Sequence, residues 1–151
     1  MNIDDYLAGP AQLRQAVAGM TQEQLVARPV PGKWSTLEVI CHLADFEIIG
    51  ADRIKRIIAE DEPTLFGGDP DGFAKRLAYH QRNAEEEILL IALLRQQVSH
   101  ILRRLKPEDF LRRGIHSEAG PLTLEAIVQR STKHIPHHLQ FIEEKKRALG
   151  I

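Results

Sequence analysis

Apolar residues recur at helical spacing through four long stretches of this chain, and almost nowhere do they alternate with the period of two expected of a strand. That pattern confines the chain to an all-α fold. The second stretch has the clearest start. Ser35 and Glu38 have the spacing of a capping box, and Trp34 and Val39 flank it as a hydrophobic staple. Leu37, Ile40, Leu43, Ala44, Ile48, Ile54 and Ile58 then follow at helical spacing, with a stop near Glu60 ahead of Pro63.

The other stretches are read in the same way. A first helix is expected over Pro10–Ala18, with Pro10 at the first helical position and a possible extension back to Asp4. A short piece starts at Thr21, where Thr21 and Gln24 repeat the capping-box spacing. Asp61 to Gly72 reads as a loop. A third helix is expected from Phe73 to Leu105, about 50 Å long at 1.5 Å per residue. Its stripe comprises Phe73, Leu77, Ala84, Ile88, Ile91, Leu94, Val98, Ile101 and Leu105. Pro107 opens another short helical piece that Gly114 ends, and the last helix runs from Thr123 to Leu149. Four substantial helices with long connections imply a four-helix bundle in a single domain spanning residues 1–151.

Composition narrows the function. The formal net charge is −1, so no global field recruits nucleic acid or an anionic membrane. The basic stretch of Arg103, Arg104, Lys106, Arg112 and Arg113 is interrupted by Glu108 and Asp109 and reads as solvated surface. The longest apolar run, Ile88 to Leu94, is too short to span a bilayer. The acidic start, Met1-Asn2-Ile3-Asp4-Asp5, lacks a signal-peptide pattern, and a cytoplasmic location is expected. Cys41 is the sole cysteine, which excludes an internal disulfide and any multi-cysteine zinc site.

Chemistry concentrates in the histidines. In His134-Ile135-Pro136-His137-His138, residues four apart share one helical face, so His134 and His138 can present two imidazoles to one ion. They lie on the stripe of Ile127, Ser131 and Phe141, whereas His137 is rotated away. Pro136 between them predicts a kink that reorients the rings. His42, set among apolar residues of the strongly capped second helix, is the best third ligand. Three neutral imidazoles around a divalent ion leave coordination positions open, as a catalytic site requires, and zinc or nickel suits nitrogen donors. Asp45, one turn beyond His42, is a candidate catalytic residue that could orient an imidazole or act as a base; the alternative is an ion pair. His80 shares the expected inward stripe of the third helix as a pocket or core histidine. His100 and His116 are not favoured as ligands, and Cys41 reads as a buried, inert thiol. Glu-x-x-His, HExxH, P-loop and GxGxxG motifs are absent.

Gly32-Lys33-Trp34-Ser35, Glu38, Cys41-His42-Leu43-Ala44-Asp45 and His134-Ile135-Pro136-His137-His138-Leu139-Gln140, with Gly114-Ile115-His116 and Gly120-Pro121-Leu122-Thr123 before the last helix, resemble the DinB-like superfamily of metal-dependent enzymes. The resemblance implies an up-up-down-down bundle, a metal site at His42, His134 and His138, and a homodimer. It also implies a small-molecule substrate and favours a thiol-dependent S-transferase, using a low-molecular-weight thiol, over a hydrolase. The alternative is a non-catalytic bundle that holds a metal or ligand, haem included.

Overall fold

The computed structural model describes residues 2–151; Met1, first in the acidic start, lies outside the described residues. The strongest local signal forms as expected. Glu38 N donates to Ser35 Oγ (3.1 Å) and Ser35 N donates to Glu38 Oε2 (2.7 Å), opening helix α3 at Thr36–Ala59. Before it come α1 (Ile3–Ala16) and the short α2 (Gln22–Val26), whose Thr21–Gln24 capping box is also present. After it come β1 (Thr64–Leu65), α4 (Pro70–Arg76), α5 (Ala84–Leu102), β2 (Arg113–His116), β3 (Gly120–Thr123) and α6 (Leu124–Leu149). Short 3-10 turns stand at Tyr79–Gln81 and Pro107–Leu111. Ala126 N donates to Thr123 Oγ1 at the start of α6, and Gly150, at φ +75°, closes it with the left-handed conformation that glycine adopts freely.

The four long helices pack as a bundle, with α1 and α3 each flanked by α5 and α6. Their directions follow from side-chain pairs. Arg103 binds Asp4 (2.7 Å) and Arg14 binds Glu85 (2.6 Å), so α1 and α5 are antiparallel. Ile40 and Leu43 share a core cluster with Ile88 and Ile91, while Ile54 and Ile57 share another with Val98 and Leu102, so α3 and α5 are parallel. Helix α6 runs the other way, with Ile127 and Val128 in the second of these clusters and Ile135 and Ile142 in the first. The four-helix bundle is therefore as expected, but its order is up-down-down-up rather than up-up-down-down. A parallel neighbouring pair needs a connection that returns the length of the bundle, and residues 60–83 supply it between α3 and α5. They run back along α3, where Phe73 packs on Phe46 (ring centroids 5.7 Å apart) and Tyr79 on Leu37 and Cys41.

That return path breaks the third helix expected over Phe73–Leu105. Asp69 caps α4 with Pro70 in its first turn, Ala78 takes a left-handed φ of +51°, and Asn83 Oδ1 accepts from the N–H groups of Glu85 and Glu86 to start α5. Leu77 and His80 consequently lie exposed instead of on an inward stripe. The scarcity of strand signal also needs correction. A small sheet pairs β1 parallel to β2 and β2 antiparallel to β3, with strands of two to four residues, too short for alternation to register. In α1, Asn2 provides the cap and Pro10 lies inside the helix, not at its first position.

Pro10 has no N–H to give to the carbonyl of Tyr6 four residues earlier. Arg95 supplies the missing donor, Nη1 to Tyr6 O at 2.7 Å. The same guanidinium donates through Nε (3.0 Å) and Nη2 (2.8 Å) to Glu47 Oε2, and through Nη2 to Ser131 O (2.8 Å). Tyr6 Oη donates to Glu47 Oε1 (2.7 Å). Arg95 and Glu47 are 0% and 2% exposed, so one charged layer joins all four long helices between two apolar clusters. Gly9 makes room for it: a Cβ there would sit 2.3 Å from Arg95 Nη1 and 2.9 Å from Ile135 Cδ1. Because Arg95 is held on three sides, Gly9→Ala is expected to cost about 1–3 kcal/mol, read as a lowered denaturation midpoint in urea. An unchanged midpoint would show that the layer yields.

Candidate metal centre

Helix α3 contributes His42 and α6 contributes His134 and His138, in the antiparallel crossing set by the Ile40 and Ile135 packing. The Nε2 atoms of His42 and His134 are 3.1 Å apart. One donor nitrogen from each of the three rings lies within 4.8 Å of the other two. Ring centroids are separated by 5.0 Å (His42–His134), 4.7 Å (His42–His138) and 4.8 Å (His134–His138). The sequence-derived trio is thus assembled at one point.

Electrostatics favours lone pairs over protons there. Burial first, and then a neighbouring imidazole, push His42, His134 and His138 down to about 4. All three rings are therefore neutral at pH 7. His42 Nδ1 and His138 Nδ1 are buried without a hydrogen-bond partner. An unsatisfied buried polar atom costs about 1–3 kcal/mol, a poor bargain for rings that only fill space. Converging neutral imidazoles are instead the donor set that a divalent ion takes.

Two clefts reach this cluster. One, about 290 Å³, is bounded by Trp34, Val39, His138, Phe141 and Lys145. The other, about 170 Å³, is bounded by Phe46, Arg53, Arg130, Ser131 and His134. Trp34 packs at a tilt on His42, with centroids 5.2 Å apart, and Phe46 packs on the same ring at 4.5 Å. Lys145 is 3% exposed, donates only to Phe141 O (3.2 Å), and is pushed down by burial. Sequence reasoning missed Lys145, although His134, His138, Phe141 and Lys145 follow spacings of four, three and four along a single face. Trp34 was visible as a helix staple and within the Gly32-Lys33-Trp34-Ser35 segment, but not as a neighbour of His42.

Asp45 forms the ion pair that was the alternative to a place beside an imidazole. Arg82 Nη1 and Nη2 donate to its two oxygens, each at 2.9 Å, and Arg82 also binds Glu87 (2.6 Å). Among the described residues, no imidazole is hydrogen-bonded to Asp45, which anchors the return connection to α3. Asp45→Asn is therefore expected to leave bound metal unchanged and to lower stability by about 1–3 kcal/mol, measured by metal analysis beside urea denaturation. Metal loss would instead give the carboxylate a part in holding His42.

The remaining histidines are not part of the donor group, although the His137 ring packs edge-on against His138 with centroids 5.2 Å apart. His137 is exposed, near Gln140; His80 is exposed, near Gln81; His100 is exposed on α5. His116 Nδ1 accepts from Glu118 N and Ala119 N in the β2–β3 turn. Cys41 is buried with its thiol pushed up to about 12 by burial, so it is no nucleophile.

The sequence profile of the DinB superfamily matches residues 6–142. The chain belongs to the DinB superfamily. YfiT of Bacillus subtilis, named as a candidate metal-dependent hydrolase, is 28% identical over 142 residues, covering 93% of this chain and 80% of the relative. OB0782 of Oceanobacillus iheyensis carries the same description and is 30% identical over 133 residues, 88% of this chain and 77% of the relative. The solved structure of YfiT, described as having an unusual four-helix bundle topology, superposes with a TM-score of 0.91 over 98% of this chain and 85% of that one. YjoA of Bacillus subtilis, a DinB-like protein 16% identical, shares the fold at a TM-score of 0.63 over 99% of this chain and 92% of that one. The metal-dependent DinB relatives and the histidine trio together support a divalent-metal-dependent enzyme. No helix among the described residues is long and apolar enough to cross a membrane.

Proposed function

We propose that His42, His134 and His138 hold one divalent ion, zinc or nickel, and that the chain is an enzyme acting on a small molecule. The observation carrying this reading is the convergence of three neutral donor nitrogens beside two clefts. A bound divalent ion supplies Lewis acidity that stabilises a deprotonated nucleophile near neutral pH. The chain's own residues do the rest. Trp34 and Phe46 keep bulk water from His42, and the buried Lys145 amine faces the larger cleft, where it can hold an anionic group of a substrate.

Within that reading we favour transfer to a low-molecular-weight thiol. Two clefts meeting at one centre give separate places to a thiol and its electrophilic acceptor, and the inert Cys41 leaves the sulfur to a cosubstrate. Hydrolysis is the second reading, favoured by the descriptions of YfiT and OB0782. Pairing into a homodimer is proposed on the family resemblance.

Turnover in the presence of metal is expected to fall at least 100-fold after chelation and to return with zinc or nickel. Full activity in protein verified as metal-free would end the proposal. An electrophilic acceptor consumed only when a low-molecular-weight thiol is added supports transfer, whereas ester or amide cleavage without thiol supports hydrolysis.

A further inference from the structure

The smaller cleft is bounded by two arginines and no carboxylate. Of the side chains that bound it, Arg53, Arg130, Ser131 and His134 are polar, and none is acidic. Arg14, Arg82 and Arg95 are paired with Glu85, Asp45 and Glu47, whereas among the described residues Arg76, Arg104 and Arg147 are unpaired but lie outside this cleft. Among the described residues, neither Arg53 nor Arg130 has a carboxylate oxygen within 4.0 Å. Arg53 directs Nε (3.2 Å) and Nη2 to the carbonyl of Phe66, which fixes the guanidinium and leaves Nη1 uncommitted. Arg130 and the Ser131 hydroxyl make no hydrogen bond to the described protein.

The placement ties this cleft to the histidines. Arg130 stands one helical turn before His134 on α6, and His134 itself bounds the cleft. Gly50 of α3 keeps the floor open, because a Cβ there would lie 3.0 Å from Ser131 Oγ. Burial and the nearby Arg130 charge both push Arg53 down, the signature of two cations kept close together. Glu118 and Asp52 act on Arg53 from outside the cleft and compensate only in part.

We propose that Arg53, Arg130 and Ser131 form an oxyanion subsite of the histidine centre, and that its substrate carries a carboxylate or phosphate group. Guanidinium groups recognise both oxyanions through paired charge-assisted N–H bonds, with the serine hydroxyl as a further donor. Anchoring that group one turn from His134 would bring the rest of a small molecule to the three imidazoles. The substrate assignment rests on the reading of that centre as an enzyme site; the subsite itself can be tested without it.

The probes are inorganic phosphate and acetate, titrated at constant ionic strength into metal-free and zinc-loaded wild type, Arg53→Gln and Arg130→Gln. The readout is the amide and arginine side-chain NMR shifts. Saturable binding is expected in both wild-type forms, with shifts at Arg130 and Ser131 and about tenfold weaker affinity in each variant. Tighter phosphate binding would assign a phosphate group, and comparable binding a carboxylate. No saturable binding, or equal binding in wild type and both variants, overturns the subsite. Metal content is measured on the same samples: its absence with phosphate binding retained would count against the metal reading alone.

Discussion

Replacing Arg95 with alanine is expected to destabilise the protein by about 3–5 kcal/mol, a large share of the stability of a domain this size. The guanidinium neutralises the buried Glu47 carboxylate and satisfies Tyr6 O, orphaned by Pro10, as well as Ser131 O in the turn before His134. Truncation leaves the Glu47 carboxylate without a counter-charge, held by the Tyr6 hydroxyl alone, and leaves Tyr6 O without a donor in the buried layer. Cavity formation alone would not distinguish this cause. A double replacement, Arg95→Met with Glu47→Leu, removes charge and counter-charge together and is expected to recover more than half of the loss. Urea denaturation of the three proteins measures it. A loss below about 1 kcal/mol for Arg95→Ala would mean that water or another donor already serves Glu47.

The second large effect concerns metal-linked stability. If an ion binds the folded histidine trio and not the unfolded chain, an excess of 100 times its dissociation constant stabilises the protein by about 2.7 kcal/mol. For a chain of this length that corresponds to about 5–10 °C in the unfolding midpoint. His138→Ala removes one of three donors, and the increment on adding zinc or nickel is expected to vanish. The metal-free variant should unfold close to metal-free wild type, because His138 Nδ1 makes no hydrogen bond that alanine would forfeit. An undiminished zinc-induced rise in His138→Ala would move the ion to other donors.

What was legible in the amino-acid sequence was local. Ser35–Glu38, Thr21–Gln24 and Thr123 form their caps because a side chain and a backbone N–H three residues apart need no tertiary partner. His134 and His138 meet because four residues make about one turn. The start of α5 was equally local, since Asn83 precedes Glu85, Glu86 and Glu87, but continuous apolar spacing from Phe73 overrode it. Arg95 shows the limit of such spacing. Ile88, Ile91, Arg95, Val98 and Leu102 form the buried face of α5, and a reading that accepts only apolar residues takes Leu94 in place of Arg95. Glu47 is hidden on α3 for the same reason. Bundle order depends on the path of residues 60–83 along α3, which no local signal encodes. The two arginines beside His134 come from different helices and meet only in the fold.

The most direct test of the account is metal content per chain in wild type, His42→Ala and His138→Ala, purified identically, with helicity followed by circular dichroism. One divalent ion per wild-type chain, lost from both variants while helicity is retained, is the predicted result. Full occupancy in either variant would contradict the three-histidine centre.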